Sequence, residues 1–184
     1  MRLVRYESLV ATPWKNGGGV TRQIAVAPPG GDAGSFDWRI SSAEVATDGP
    51  FSRFEGIDRR LYILDGAGLD LRFDAGTRRL RLGEHTDFAG EAAVFGALLG
   101  GPVTDLNIMV RRDRYRMRAE RMSVNGEARI DHGWGTAALF VLEGALDLTA
   151  GVARRFDTVL LDGKQPLTVS GSAELLLIGL APVA

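Results

Sequence analysis

Trp14-Lys15-Asn16-Gly17-Gly18-Gly19-Val20-Thr21-Arg22 is the least generic string in the chain, and its residue types suit the capture of an anion. Three successive glycines let a backbone approach a guest and turn its N–H groups toward it as a nest, while Lys15, Asn16 and Arg22 bracket them with charge and an amide. No Gly-Lys-Ser/Thr ending leads into a helix, so this is not a nucleotide-binding P-loop. The plainer reading is a flexible loop between edge strands, with Trp14 as a core plug. Trp38-Arg39-Ile40-Ser41 alternates, which puts Arg39 and Ser41 on one face, aimed at a ligand if the strand lines a barrel mouth and at water otherwise. The loop Gly49 to Ile57 carries Phe51 and Phe54, aromatic residues that imply folding back over something. It feeds Asp58-Arg59, which could orient a carboxylate-binding guanidinium or form a structural ion pair. In Asp105-Leu106-Asn107-Ile108-Met109-Val110-Arg111 one face collects Asp105, Asn107, Met109 and Arg111, either pocket lining or plain surface.

Other chemistries are poorly served. The chain has no cysteine and only two histidines, His85 and His132, which do not fall at equivalent positions of the repeat described below. That set excludes a thiolate nucleophile and a cysteine zinc site, and it argues against a histidine metal centre, so no metal and no cofactor are expected. The formal charge of −1, from 22 basic and 23 acidic side chains, gives no global attraction to nucleic acid or an anionic membrane. Six arginines at 111, 112, 114, 116, 118 and 121 read as a solvated edge, with Arg114, Arg116 and Arg118 on one side. The first ten residues alternate without a long apolar run, so neither a signal peptide nor a membrane span is expected, and a cytoplasmic location fits the missing cysteines.

The elements that must position these groups are strands. Leu61-Tyr62-Ile63-Leu64-Asp65-Gly66-Ala67-Gly68-Leu69-Asp70-Leu71 returns 78 residues later as Leu139-Phe140-Val141-Leu142-Glu143-Gly144-Ala145-Leu146-Asp147-Leu148, one glycine shorter. Each copy reads as an apolar strand, an acidic-Gly turn and a second alternating strand, a hairpin present twice. The 24 glycines punctuate the chain so often that only Glu91 to Leu99 could make a helical turn, and its Val94-Phe95 reads as well as a strand. Period-2 segments fill the gaps at 36–41, 78–82, 106–111, 115–119, 154–161 and 174–180. The expected fold class is all-β, a duplicated barrel with an N-terminal half at 1–102 carrying the pocket and a C-terminal half at 103–184 supplying wall and stability.

Taken together, in order and spacing, Pro13 to Gly19 with Thr21-Arg22, Trp38 to Ser41, Gly49-Pro50-Phe51-Ser52 with Phe54 and Gly56 to Arg59, and Asp105-Leu106-Asn107 resemble the HutD/Ves family over essentially the whole chain. The resemblance implies a bicupin, two small cupin-like β-barrels from one chain. It also implies a family associated with histidine utilisation in some bacteria and with stress response in others, without an established reaction. Its signature residues fall on Trp14, Lys15, Asn16, Thr21, Arg22, Arg39, Ser41, Asp58, Arg59 and Asn107. The leading expectation is a metal-free binder of a small anionic metabolite, a carboxylate from histidine breakdown, in a regulatory or protective role. Lys15 and one of Arg22, Arg39 or Arg59 would hold the carboxylate, with Asn16, Ser41 and Asn107 reading neighbouring polar atoms. The alternative is a metal-independent isomerase or hydrolase using Asp58 or His132 as base beside Lys15. A third possibility is an interaction protein that uses the arginine edge.

Overall fold

A computed structural model describes residues 1–31 and 35–183. The chain is all-β, with one short 3-10 turn at Tyr6–Ser8. Its strands are β1 (Arg2–Val4), β2 (Ala11–Pro13), β3 (Gly19–Ala27), β4 (Trp38–Val45), β5 (Gly49–Pro50), β6 (Ile57–Asp65), β7 (Leu69–Phe73) and β8 (Gly76–Leu80). There follow β9 (His85–Ala89), β10 (Phe95–Leu98), β11 (Val103–Arg111), β12 (Tyr115–Ile130), β13 (Thr136–Leu148), β14 (Gly151–Arg154), β15 (Thr158–Asp162) and β16 (Leu167–Pro182). The segment 91–99 contributes strand β10 rather than a helical turn. The run 154–161, expected as one strand, is broken into β14 and β15 by a turn in which Phe156 takes a φ of 70°.

The described residues form two compact units, Val10–Arg114 and Met1–Leu9 with Tyr115–Ala184. Strand β11, placed by the sequence reading in the C-terminal half that begins at 103, pairs with β4 and β6 and so clusters with the first of these. Two antiparallel sheets build the Val10–Arg114 unit, in the orders β2-β3-β4-β11-β6-β9 and β5-β10-β7-β8. Val45, Leu61, Ile63 and Val103 from the larger sheet bury against Leu69, Leu71 and Leu80 from the smaller. In the other unit β1-β15-β13-β16-β12 form a sheet, with β14 on β13, over a core that includes Leu139, Val141, Leu146, Leu175 and Leu177. Among the described residues no sheet closes into a barrel.

The repeat is not a pair of hairpins. Strand β6 pairs with β11 and β9 in one sheet, while β7 pairs with β10 and β8 in the other. In the second copy the strand runs unbroken as β13, with a register shift between Val141 and Glu143. Its first part pairs with β15 and its last residues with β14, and β16 accompanies both. The acidic-Gly step is therefore a bend by which one strand changes partners.

Candidate functional site

Strand alternation builds the site on one face of the larger sheet in the Val10–Arg114 unit. Arg39, Ser41 and Ala43 of β4 stand in register with Met109, Asn107 and Asp105 of β11, and Arg59 of β6 also opposes Met109. The face continues the apolar core and then turns polar, which opens a cavity of about 600 Å³. Its walls are Pro13, Trp14, Lys15 and Asn16 on one side and Pro50, Phe51, Ser52 and Phe54 on another. The aromatic loop is tied down by the Phe51 N–H on the Val94 carbonyl (2.9 Å) and the Phe54 N–H on the Gly90 carbonyl (2.8 Å).

Arg59 is the centre of the polar floor and only 7% exposed. Its guanidinium lies between two rings, 5.0 Å from the Phe51 centroid and 5.2 Å from that of Phe88. Arg59 Nε donates to Asn107 Oδ1 at 2.6 Å, and Asn107 Nδ2 donates to Asp105 Oδ1 at 2.7 Å. Burial pulls the Arg59 guanidinium down to about 10, opposed by the Asp105 charge and assisted by that of Arg39. Burial pushes the Asp105 carboxyl up to about 7, against the pull of Arg59, the Ala43 N–H and Asn107. Burial also lowers Arg39, whose Nε is fully buried with no hydrogen-bond partner among the described residues.

Eight of the ten sequence-predicted residues line this cavity: Trp14, Lys15, Asn16, Thr21, Arg39, Ser41, Arg59 and Asn107. Two do not, and parity along the strand is the reason. Arg22, next to Thr21, ion-pairs with Glu44. Asp58, next to Arg59, receives Arg112 Nε at 2.9 Å, and the same guanidinium holds Glu91 at 2.6 Å. Neither base of the enzymatic alternative stands in the cavity. Besides Asp58, His132 belongs to the other unit, where its Nδ1 accepts the Trp134 N–H at 3.2 Å. The glycine nest is also corrected. The Gly17 N–H is spent on the Trp14 carbonyl and the Gly18 N–H on Asn16 Oδ1, both at 3.0 Å, so the string is a tight turn closing β2 on β3. Trp14 Nε1 donates to Thr21 Oγ1 at 2.8 Å, which fixes the ring as a wall. Of the arginine edge, Arg114 lies outside β12 and pairs with Asp37 at 3.0 Å, and Arg118 pairs with Glu120 at 2.9 Å.

The sequence reading put Asp105 and Met109 on one face with Asn107 but carried only Asn107 into the candidate site. Alternation is the signal for Asp105 and Met109, whereas Phe88 enters only through the pairing of β9 with β6. Among the described residues no Asp, Glu, His or Cys side chain lines the cavity, and two guanidiniums and a lysine do. This donor set does not fit a divalent cation. It fits an anion.

The HutD family model matches residues 6–178. An uncharacterized 21.2 kDa protein in the hutC 3′ region of Pseudomonas putida is 33% identical over 150 residues, 81% of this chain and 77% of that one. Protein Ves of Citrobacter koseri is 36% identical over 137 residues, 73% and 69% of the two chains. The solved structure of HutD from Pseudomonas fluorescens superimposes with a TM-score of 0.85 at 30% identity, covering 100% of this chain and 99% of that one. A Cupin 2 conserved barrel domain protein from Leptotrichia buccalis, 12% identical, gives a TM-score of 0.64 over 96% and 95% of the two chains, a likeness of fold. By matched sequence and matched fold, the chain belongs to the HutD/Ves family and has a cupin-like β fold.

Proposed function

We propose that the Val10–Arg114 unit binds a small anionic metabolite, a carboxylate intermediate of histidine utilisation such as urocanate or a formylated or formiminated glutamate, in a regulatory or protective role. The observation that carries this is that the guanidiniums of Arg39 and Arg59, with Lys15, line a cavity that no carboxylate of the described residues lines. Burial costs both guanidiniums part of their hydration, and an arriving carboxylate compensates them through charge-assisted bonds. The volume suits a metabolite-sized guest, and Trp14, Phe51 and Phe54 offer it flat apolar walls. The genomic label of the Pseudomonas putida relative supports the choice of pathway.

The finer architecture belongs to the same proposal. The partners of β6 and β7 are matched in the second copy by those of the two ends of β13, which supports a bicupin formed by internal duplication. At matching ladder positions the first copy is polar where the second is apolar. Where Ile63 opposes Asp105 and Leu61 opposes Asn107, the second copy sets Val141 against Leu175 and Leu139 against Leu177.

Isothermal calorimetry with urocanate and N-formylglutamate tests the binding, on wild type and Arg39→Gln. Wild type is expected to bind one of them, and Arg39→Gln to bind it about tenfold to a hundredfold more weakly, the worth of a charged hydrogen bond. Absence of heat with every such carboxylate ends the proposal.

A further inference from the structure

We propose that Asp105, acting through Asn107, is the positioning residue that sets the Arg59 guanidinium toward the cavity and takes up a proton from solvent when an anion reaches that guanidinium. The inference rests on the reading of the cavity as an anion site.

The geometry is a one-way chain. Asp105 is 1% exposed and accepts the Asn107 amide NH2, which forces the amide oxygen toward Arg59 Nε. A flipped amide would oppose oxygen to carboxylate and N–H to N–H, so the carboxyl at 105 decides which way Asn107 faces. With Nε occupied and the plane clamped between Phe51 and Phe88, the two terminal nitrogens of Arg59 remain for a guest. The fold does not need this chain. The corresponding ladder of the other unit holds Leu175 and Leu177, and there Ala137 opposes Gly179, with Trp134 packed where a Cβ at 179 would sit.

Few charges act on the Asp105 carboxyl. From β4 it meets the backbone N–H of Ala43, its register partner, and from β6 its register partner is Ile63. On its own strand it meets the neutral Asn107, so among the described residues the one charged group acting on it is Arg59. Arg39 on β4 acts in turn on Arg59. Burial favours the neutral acid and the Arg59 charge restrains it. An anion paired with Arg59 cancels that restraint, and the carboxyl then holds its proton to higher pH. By linkage, anion affinity falls as pH rises through the interval between the free and bound midpoints, by at most about tenfold per pH unit for one proton.

Carbon-13 NMR of labelled aspartate carboxyls, with Asp105 assigned by loss of its signal in Asp105→Asn, reads the midpoint directly. In free wild type it is expected near neutrality, and in ligand-free Arg59→Gln it rises by about one unit. Arg59→Met supplies the same comparison if the glutamine variant does not fold. Saturating urocanate or sodium formate is expected to raise the wild-type midpoint likewise. Calorimetry at pH 7 in Tris and in bis-Tris, neither of which offers the site an anion, is expected to give different apparent enthalpies for wild type and equal ones for Asp105→Asn. An Asp105 midpoint identical in wild type and both Arg59 variants overturns the coupling, as does binding whose heat ignores the buffer. If neither anion binds, the anion reading has failed, and the ligand-free Arg59 variants still decide the coupling.

Discussion

At position 107 an amide stands where the matching ladder of the other unit carries Leu177, and it joins a buried acid to a buried base. Removing it strips Arg59 Nε of its acceptor and Asp105 of the amide donor in an interior that cannot hydrate them, so Asn107→Leu is expected to cost about 3 kcal/mol. At this chain length that lowers the midpoint of thermal unfolding by about 10 °C. Replacing the whole triad, as Arg59→Met with Asp105→Leu and Asn107→Leu, removes the stranded charges along with the bridge and is expected to recover most of that stability. Anion binding should be lost in both proteins. Calorimetric unfolding of the two side by side decides it: a single variant as stable as wild type would mean that the bridge bears no structural load. The same scale shows what the residues alone could reveal. Alternation placed Arg39 with Ser41 and Asp105 with Asn107, and the structure has those parities. The motif strings also nominated Thr21 with Arg22 and Asp58 with Arg59, neighbours that a strand sends to opposite faces. Only Thr21 and Arg59 line the cavity, and their neighbours found Glu44 and Arg112 outside it.

Among elements, the repeated Leu-to-Leu segment was legible as a duplicate and misread as a hairpin. An apolar run, an acidic residue, a glycine and a second apolar run describe a hairpin turn and a bent strand crossing between partner sets equally well. The choice is made by partners distant in sequence, β9 and β11 for one arm and β8 and β10 for the other, which no local pattern reports. The bend explains the glycine in each copy. Gly66 and Gly144 have φ of 91° and 81°, and a Cβ there would lie 2.6 Å from the Pro102 carbonyl oxygen and 2.1 Å from that of Ser172. Both the left-handed backbone and the contact with a neighbouring strand exclude a side chain. Gly66→Ala and Gly144→Ala are each expected to destabilise by about 2 kcal/mol or more, whereas Gly135→Ala, with nothing within 4 Å of the added carbon, should stay within about 1 kcal/mol of wild type. Urea titrations of the three variants provide the measurement. A Gly144→Ala protein as stable as wild type would show that the second copy does not bend as the first does.

For the molecule as a whole, a formal charge of −1 means that no net field draws an anion in. Much of the surface charge is also locally cancelled, as in Arg60 with Asp87 at 2.6 Å, Arg79 with Asp70 at 2.8 Å and Arg112 with Asp58 and Glu91. The attraction must come from Arg39 and Arg59 inside the cavity, with Lys15 at an exposed wall. Buried charges are screened far less than exposed ones, because the Debye length of about 10 Å at 0.1 M salt, and about 3 Å at 1 M, governs interactions through water. Raising sodium chloride from 0.05 to 0.5 M is therefore expected to weaken carboxylate binding by no more than about threefold, with most of that small loss absent in Lys15→Gln. Calorimetric affinities at four salt concentrations, for wild type and the Lys15 variant, test the partition between interior and rim. A steep loss of tenfold or more across this range would place the attraction on exposed side chains and would remove the interior guanidiniums from the role of anion holders.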